Sequence, residues 1–383
     1  MVYITVRQSP IYRQITIEEL LLGKVSKPMI VSNNESNTRT YVTKDVGSKK
    51  ILEHVNIDSL ILKLAKFNED TEELRTHIPR SDLYRSFKIP KRSGGLRKID
   101  APNDDLMNAL RRLKLIFEDD FGALYHTSAF AYVRKRCTVD AVKKHQANES
   151  HWFGKYDLSN FFGSTTKEFV LKMLSMIFPF SEVMKNQLGK TELEKAIDLA
   201  FLNGGLPQGT PLSPTLTNII MIPIDYKLSN GLRDFNKQHF IYTRYADDFL
   251  ISSKYDFDFK AVEKYIIDTL NEFEAPFAIN SSKTRYGSSA GANWNLGVML
   301  NSQNQITVGH KKKKQFQAML ASYVMDRQNG NFWDVSDIQA MDGYRNYYRS
   351  VEGEAIDRLI NHIGEKFHVN IVAMMRQDIA GIA

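Results

Sequence analysis

The sequence predicts an α+β domain followed by a helical region, and three features of the chain favour that class. Strand-like and helix-like hydrophobic patterns alternate from about residue 84 to residue 310, and this alternation is typical of a sheet packed on helices. From about Lys311 onward the pattern is helical. With 383 residues, of which 43% are hydrophobic, the chain is long enough to build a large core.

The N-terminal part of the chain contains no motif that indicates a function. Thr40 to Lys44 predicts a short strand, and Ile51 to Phe67 has the periodicity of a helix. We treat residues 1–80 as an N-terminal extension. A hairpin is predicted next, because YRSFKIP from Tyr84 and LRKIDAP from Leu96 enclose the turn signal Ser-Gly-Gly.

The later elements of the α+β part follow one another with short connections. Helices are predicted where apolar residues recur at helical spacing, and strands where β-branched and aromatic residues cluster. The predicted segments are a helix at about 104–117, a strand at about 152–158, a turn-rich loop at 203–211, a helix from 213 to about 231, strands at 240–244 and 249–252, a helix at about 259–273, and a hairpin at 295–308. The acidic pair Asp247 and Asp248 therefore falls at a hairpin turn.

Three carboxylates are candidates for chemistry. Asp157 lies near the end of a predicted strand, and neighbouring strands of one sheet could bring it to Asp247 and Asp248. Clustered carboxylates repel one another unless cations lie between them. Mg²⁺ prefers one or two carboxylates completed by phosphate oxygens, so this arrangement suits a two-metal phosphoryl-transfer site. The alternative is a solvated turn, since Asp is common in turns, and spacing alone does not decide between the two.

The order of the motifs decides between these interpretations, because together they resemble the motif set of a reverse transcriptase. The matching segments are FKIPKRSGGLRKIDAP (87–102), YDLSNFF (156–162), GGLPQGTPLSP (204–214), RYADDFLIS (244–252), FAINSSKT (277–284) and LGVML (296–300). They follow the order of that family across about Tyr84 to Lys314. The resemblance implies RNA-directed DNA polymerase activity and a right-hand polymerase fold, in which fingers and a palm with an antiparallel sheet on helices precede a helical thumb.

The resemblance assigns catalytic roles to residues of the predicted palm. It implies that Asp157 and Asp247 bridge the metal ions, that Asp248 is the third carboxylate, and that the backbone carbonyl of Leu158 completes the metal shell. The implied cofactor is a pair of Mg²⁺ ions, with Mn²⁺ as the alternative. Lys283 matches a lysine that protonates the leaving pyrophosphate.

Further residues match the family's nucleotide pocket. Phe162 occupies the steric-gate position, where a bulky ring would collide with a ribose 2′-OH and so select deoxynucleotides. The alternative is a core phenylalanine like its neighbour Phe161. Gln208 matches the glutamine that packs beside the incoming nucleotide and the template base, and Gly209 permits close approach of the backbone to nucleic acid.

Basic residues are predicted to bind phosphates. Lys91 and Arg97 on the fingers hairpin are candidates for gripping the triphosphate, and Arg92 and Lys98 are candidates for contacts with nucleic acid. A lysine run at the start of the predicted thumb would follow the template–primer backbone and consists of Lys311, Lys312, Lys313 and Lys314. A solvated charged surface is the alternative for each of these clusters.

The resemblance also gives domain boundaries and a lineage. The fingers are predicted at 81–155, the palm at 156–310 with part of the fingers at about 165–205, and the thumb at 311–383, without a recognisable ribonuclease H region. Retron enzymes usually carry Asn-Ala-x-x-His after the fingers and Val-Thr-Gly in the last palm motif. Here the counterparts are Asp140-Ala-Val-Lys-Lys-His145 and Leu296-Gly-Val298. We therefore predict a defence-associated enzyme with a dedicated noncoding RNA, and keep a retron or group II intron-like enzyme as the alternative.

The predicted partners are a structured RNA template, the cDNA product and deoxynucleoside triphosphates, while accessory proteins and the oligomeric state stay open. Two other classes compete with this interpretation, namely a non-catalytic RNA-binding relic and an RNA-templated RNA polymerase. The intact aspartates and Gln208 argue against the relic. Phe162, together with Ala246 where such RNA polymerases usually have Gly, argues against the RNA polymerase.

Charge and cysteine content agree with this picture. The net charge of +7 is compatible with a polyanionic partner. The lone Cys137 excludes an internal disulfide and a Cys-rich zinc site. The N-terminus lacks the apolar core of a signal peptide, and no apolar run approaches the roughly 18 residues of a spanning helix. A cytoplasmic protein without a membrane partner is expected.

Overall fold

The fold is described from a computed structural model of the chain. The structure describes residues 3–7, 12–16, 38–45, 48–90, 94–121, 125–289 and 296–381. Its strands are β1 (Tyr3–Arg7), β2 (Tyr12–Thr16), β3 (Thr38–Asp45), β4 (Ser48–Asn56), β5 (Tyr84–Pro90), β6 (Leu96–Pro102), β7 (Trp152–Asp157), β8 (Ile241–Tyr245), β9 (Asp248–Ser253), β10 (Arg285–Ser288), β11 (Met299–Leu300) and β12 (Ile306–Thr307). They form a sheet of order β2-β1-β3-β4, a sheet of order β10-β7-β9-β8, and the two-stranded pairs β5-β6 and β11-β12.

Helices cover much of the remaining described chain. They are α1 (Ile57–Asp70), α2 (Glu72–Thr76), α3 (Asp104–Phe121), α4 (Thr138–Ala147), α5 (Phe161–Ser164), α6 (Lys167–Leu174), α7 (Phe180–Val183), α8 (Gln187–Asp198), α9 (Ser213–Ile220), α10 (Ile222–Arg233), α11 (Phe259–Glu272), α12 (His310–Gln328), α13 (Val335–Phe367) and α14 (Ile371–Ala380). None of the helices in these described ranges combines the length and apolar character needed to cross a membrane.

The described residues fall into two compact units. The first comprises those of 1–136, 155–251 and 258–284, and the second those of 137–154, 252–257 and 285–383. In the first unit, Asp248 on β9 is followed by three apolar residues, Phe249, Leu250 and Ile251, which are all fully buried, as expected for a strand covered on both sides.

The second unit is mainly helical. The aromatic rings of Phe316 on α12 and Tyr348 on α13 pack edge to face at 5.4 Å. Helix α13 is interrupted at Glu352, which has non-helical backbone angles. The Glu352 carboxylate accepts hydrogen bonds from the amide of Val308 and the ammonium of Lys313, both at 3.0 Å. These bonds connect the break in α13 to the β12–α12 connection.

Several predicted boundaries need correction. Residues 51–56 belong to strand β4, and only the later part of the segment predicted as helical, from Ile57, is α1. The predicted helix from Ser213 to about Gly231, in which Pro223 predicts a kink, is divided at that point into two helices, α9 and α10, because Pro223 lacks the amide hydrogen that a continuous helix would need there. The first residue of the predicted hairpin at 295–308, Asn295, lies outside the described residues.

Candidate active site

The predicted catalytic aspartates lie at the adjacent ends of β7 and β9 in the first unit. Asp157 is the last residue of β7, Asp248 is the first residue of β9, and Asp247 occupies the turn just before it. The amide of Leu158 donates to the Asp247 carbonyl at 3.0 Å, and the amide of Asn280 donates to the Asp157 carbonyl at 2.7 Å. The backbone therefore fixes Asp157 and Asp247 close to each other, as the sequence predicts.

The turn that carries Asp247 is tight. Ala246 and Asp247 alone separate β8 from β9, and Ala246 adopts a left-handed backbone with φ of 58°. Hairpins with two-residue loops favour such angles, although the conformation is unfavourable for any residue with a Cβ atom. Local backbone strain of this kind is often found at functional sites.

Two lysines pair with two of the three carboxylates. The Lys283 ammonium lies 2.9 and 3.1 Å from the two carboxylate oxygens of Asp157. The Lys155 ammonium lies 2.9 Å from Asp248 Oδ2. Asp247 forms no ion pair with a described residue. Lys283 is predicted from the sequence and Lys155 is not, although Lys155 lies two residues before Asp157 on the same strand and therefore projects from the same face.

The pKa values of the site reflect this unequal pairing. Burial, together with the negative charges of Asp248 and Asp157, raises the pKa of Asp247 to about 6. Burial also raises the pKa of Asp248, and Lys155 opposes that shift. The hydrogen bond from Lys283 to Asp157 raises the pKa of the lysine. A carboxylate whose pKa is raised by its acidic neighbours is one that a bound cation would stabilise in its charged form.

The donor chemistry of the site fits a hard divalent cation. Asp157 and Asp247 offer carboxylate oxygens, and Leu158 adjoins them with a backbone carbonyl. Within the described ranges, no group of three acidic, histidine or cysteine side chains is arranged to hold a metal ion by itself. Magnesium sites commonly use one or two carboxylates and are completed by water and substrate phosphates. The assignment of Asp248 as a third ligand stays a prediction, and Lys155 holds its carboxylate in this structure.

A second ionic cluster lies on the same hairpin and was not predicted. Arg244 on β8 is 1% exposed, and its guanidinium binds both carboxylate oxygens of the fully buried Asp225 at 2.9 and 2.8 Å. Tyr242 donates its hydroxyl to the same carboxylate at 2.7 Å. The guanidinium also donates to Asn218 Oδ1 at 3.1 Å and to the carbonyl of Ala246 at 3.3 Å. An arginine inside an otherwise apolar strand is the signal that could have revealed this network.

Phe162 lies where a nucleotide-facing role is open to it. Its neighbour Phe161 is buried and packs on Phe277 with ring centres 4.9 Å apart, whereas Phe162 is half-buried. The amide of Leu206 donates to the Phe162 carbonyl at 3.0 Å. The structure therefore separates a core phenylalanine from a partly exposed one and fixes the latter beside the turn-rich loop.

Gln208 and Gly209 in that loop pack against the fingers hairpin. The Gln208 carbonyl accepts a hydrogen bond from the amide of Asp100 on β6 at 2.8 Å. Gly209 has φ of 118°, and a Cβ atom there would lie 2.9 Å from the Ile99 side chain and 3.1 Å from the Asp100 carbonyl. Glycine is therefore required by this close approach within the protein, and the predicted contact of Gly209 with nucleic acid stays a prediction.

The predicted basic residues of the hairpin differ in their surroundings. Arg97 on β6 is exposed and forms no ion pair within the described part of the chain. Lys98 pairs with Asp100 at 2.8 Å. Lys91 and Arg92 lie outside the described residues, so their predicted roles stay predictions.

The lysine run at the start of α12 divides into two pairs. Lys312 donates to the Gly297 carbonyl at 2.5 Å, and Lys313 pairs with Glu352 at 3.0 Å, so both contribute to the packing of the second unit. Lys311 and Lys314 are exposed, and neither forms an ion pair with another described residue. Of the four lysines, only Lys311 and Lys314 could contact a nucleic-acid backbone without giving up a bond within the protein.

His145, in the element compared above with the retron motif, is fully buried in the second unit. It shares a hydrogen bond of 2.6 Å with the hydroxyl of Ser252, and burial lowers its pKa to about 3. The side chain therefore serves the packing of α4 in this structure.

An antiparallel sheet that presents acidic residues at the adjacent ends of neighbouring strands, with helices packed around it, is the palm of a right-hand nucleic-acid polymerase. Residues 89–318, more than half of the chain, match the family model described as reverse transcriptase (RNA-dependent DNA polymerase). The chain is 31% identical over 292 residues to the Retron Ec83 reverse transcriptase of Escherichia coli, covering 74% of this chain and 87% of that relative. It is 28% identical to the Retron Ec73 reverse transcriptase of Escherichia coli, covering 58% of this chain and 72% of that relative.

A likeness also exists among solved structures. The apo telomerase of Candida tropicalis aligns with 90% of this chain and 70% of that chain, at 13% identity and a TM-score of 0.45. These values are below the level that establishes a shared fold.

The chain belongs to the reverse transcriptase family. It is an RNA-directed DNA polymerase of the bacterial retron type, so its template is RNA. Enzymes of this family use divalent metal ions. The sequence motifs alone favour a defence-associated lineage and leave a retron-like enzyme as the alternative. These relatives favour the retron-like alternative.

Proposed function

We propose that this reverse transcriptase joins deoxynucleotides by two-metal phosphoryl transfer, with Mg²⁺ held by Asp157, Asp247 and the Leu158 carbonyl. The supporting observation is the uncompensated carboxylate of Asp247, which lies beside Asp157, has no ion-pair partner among the described residues and has a pKa raised to about 6. When bound there, the ions would act as Lewis acids on the reacting hydroxyl and phosphate oxygens.

The protein's own groups then have distinct tasks. Asp157 and Asp247 supply the negative charge that attracts the cations, and Asp248 supports them from the first position of β9. Lys283 is 56% exposed and carries its proton beside the site. Because its bond to Asp157 raises its pKa, Lys283 stays protonated at neutral pH and can donate to a leaving pyrophosphate oxygen.

Substrate contacts are proposed for the residues around the turn-rich loop and the hairpin. Phe162 excludes a ribose 2′-OH, and Gln208 packs beside the nascent base pair. Arg97, with Lys91, grips the triphosphate, since cationic side chains there would neutralise charge on the leaving group. Nucleic-acid backbone contacts are proposed for the remaining basic residues and the loop glycine, namely Arg92, Lys98, Gly209 and Lys311 to Lys314, with the exposed Lys311 and Lys314 contributing most.

Replacement of Phe162 tests the deoxynucleotide selection. In Phe162→Ala, the ratio of kcat/KM for a dNTP over the matching NTP should fall by about tenfold or more, because the colliding ring is gone. Phe162→Tyr keeps the bulk and should keep the ratio. Single-nucleotide incorporation on an RNA template measures both variants, and an unchanged ratio in Phe162→Ala would remove the assignment.

The template is proposed to be a dedicated structured noncoding RNA, and the product a cDNA that serves prokaryotic defence. The retron relatives support a dedicated RNA, and the net charge of +7 is compatible with RNA binding. The cytoplasm is the proposed location, in keeping with the free, exposed Cys137. Accessory proteins and an oligomeric state are not part of the proposal. The proposed fingers, palm and thumb keep the boundaries given by the sequence.

Three experiments, namely primer extension, sequencing of copurifying nucleic acid and a phage-survival assay, test these proposals. Primer extension on RNA with Mg²⁺, comparing dNTPs with NTPs, should yield DNA only, and Asp247→Asn with Asp248→Asn should abolish it; product from that variant would refute the catalytic assignment. Sequencing of the nucleic acid that copurifies with the protein should return one recurrent RNA joined to or accompanied by its cDNA. A random mixture of cellular RNA would contradict a dedicated template, and equal phage survival with and without the enzyme would contradict defence.

A further inference from the structure

Lys155 places a positive charge inside the carboxylate site from the side of β7. Its ammonium lies 2.9 Å from Asp248 Oδ2, and the two side chains are only 20% and 23% exposed. A cation so close to a carboxylate of a proposed metal site competes with the metal ion for that carboxylate. The pairing therefore bears on which aspartates receive the metal.

Lys155 and Lys283 differ in how readily each can leave its aspartate. The Lys283 side chain is 56% exposed, so water can solvate its ammonium when a metal ion and substrate arrive at Asp157. Lys155 is enclosed, and β7 continues from it into the fully buried Tyr156. Separating Lys155 from Asp248 would leave two partly buried charges without partners, which is unfavourable.

The charges of the site show where a metal ion would be attracted most. Among the residues of the site that the structure describes, three aspartates and two paired lysines leave one net negative charge. Asp157 and Asp248 each have a lysine partner, so the uncompensated charge lies on Asp247, next to Asp157. Lys283, the partner of Asp157, is the more exposed of the two lysines. The carboxylates of Asp157 and Asp247 are therefore the ones that can bind a cation.

We propose that Lys155 is a positioning residue, a resident counter-cation that keeps Asp248 bound to the protein and leaves Asp157 and Asp247 as the carboxylates that receive the metal ions. This inference rests on the proposed metal-dependent function and deepens it. It also implies that the aspartates are held in place before the metal arrives, so that the hairpin needs no metal ion to fold.

The test compares charge-removing and charge-keeping variants of the full chain without nucleotide. Lys155→Met removes the ammonium and keeps most of the stem, and Lys155→Arg keeps the positive charge. Lys254→Met is the matched control, since Lys254 pairs with Glu149 at 2.7 Å on the surface with 45% of its side chain exposed. Two readouts are independent of activity. The first is thermal unfolding in excess chelator. The second is Mn²⁺ binding, which is measured as the loss of the electron paramagnetic resonance signal of the free ion.

Lys155→Met should unfold about 5 °C lower than the original protein in chelator, because the partly buried Asp248 is left without its partner. The same variant should bind Mn²⁺ at least about fivefold more tightly, because the site gains one negative charge. Lys155→Arg and Lys254→Met should keep both original values. An unchanged unfolding temperature in Lys155→Met, or weaker Mn²⁺ binding, overturns the proposal.

The double variant Lys155→Met with Asp248→Asn keeps the proposal testable if Lys155→Met does not fold. It removes both charges of the pair and leaves no buried charge without a partner. Mn²⁺ binding should stay within about threefold of the original, whereas Asp247→Asn should weaken it at least about tenfold. Equal losses in the two variants would mean that Asp248 is a ligand and overturn the proposal. If the original protein extends no primer, the proposed function fails, while these binding and unfolding measurements still decide the role of Lys155.

Discussion

The β8–β9 hairpin carries two ionic clusters that differ in how their charges are satisfied. In the buried network, Asp225 accepts from Arg244 and Tyr242, and the guanidinium finds further acceptors within the protein. In the carboxylate cluster, Asp247 has no ion-pair partner among the described residues, and its pKa is raised to about 6. The two clusters are separated in sequence by only Tyr245 and Ala246.

The difference teaches which charges serve structure and which serve chemistry. A buried ion pair whose donors and acceptors are all matched stabilises one arrangement, and removal of either partner is severe. In contrast, Asp247 in the carboxylate cluster has no ion-pair partner among the described residues and is proposed to bind an external cation, so removal of its charge should relieve repulsion. The predictions below test this division.

The largest effect is expected for Asp247→Asn. Polymerisation should fall by about 10⁴-fold, because the site loses a carboxylate on which metal binding depends. The metal-free protein should nevertheless unfold at the same or a higher temperature, since one repelling charge is gone. Primer extension measures the loss of polymerisation, and thermal unfolding in chelator measures the stability of the metal-free protein. A marked loss of stability without metal would mean that Asp247 stabilises the fold as Asp225 does, and the two clusters would then not differ in this way.

Asp225→Asn should have the next largest effect. It should lower stability, whereas Asp247→Asn should keep or raise the stability of the metal-free protein. The free energy of unfolding should fall by about 3 to 5 kcal/mol, because Arg244 is left buried without its counter-charge. Glu272→Gln is the control, since Glu272 pairs with Lys227 at 3.1 Å on the surface, and it should change stability by less than about 1 kcal/mol. Denaturant unfolding measures both variants. Similar small changes in the two would show that burial does not separate these ion pairs.

A third prediction concerns pH. The pKa of Asp247 is about 6 in the folded protein against an ordinary value of 3.8, so the folded state binds more protons between these values. Its stabilising contribution is complete below about pH 3.8 and is lost as pH rises through about 6. Without metal, the original protein should lose about 2 kcal/mol relative to Asp247→Asn from pH 4 to 7. Saturating Mg²⁺ should remove that difference, and parallel pH profiles without metal would contradict the raised pKa.

The sequence predicted much of this site because its signals were local. The sequence placed Asp157 at a strand end, Asp247 and Asp248 at a hairpin turn and Gln208 in a loop, as the structure has them, whereas the short helix that carries Phe162 was not predicted. The boundary at Ile51 was wrong, since a strand running into α1 has an apolar spacing close to that of one longer helix.

The partners of these residues could not be predicted in the same way. The Arg244–Asp225 pair joins β8 to α10, and the Lys155–Asp248 pair joins β7 to β9, so each depends on which elements become neighbours. Gly209 shows the same limit, because the close packing of its backbone on β6 depends on which elements become neighbours. A single sequence states residue types and spacing, and these contacts require the fold.

The smallest effect is expected at Ala246, which lies between the two clusters. Its φ of 58° is unfavourable for alanine, and its carbonyl accepts from Arg244. In Ala246→Gly, relief of about 1 kcal/mol of strain should slightly exceed the greater entropy of the unfolded chain, for a net gain of about 0.5 kcal/mol. Ala246→Val should lose stability, because a β-branched side chain tolerates this φ poorly. Denaturant unfolding without metal distinguishes them. Single-nucleotide incorporation by Ala246→Gly should keep its preference for dNTPs, because Phe162 is the proposed gate; acceptance of NTPs would assign that selectivity to the turn instead.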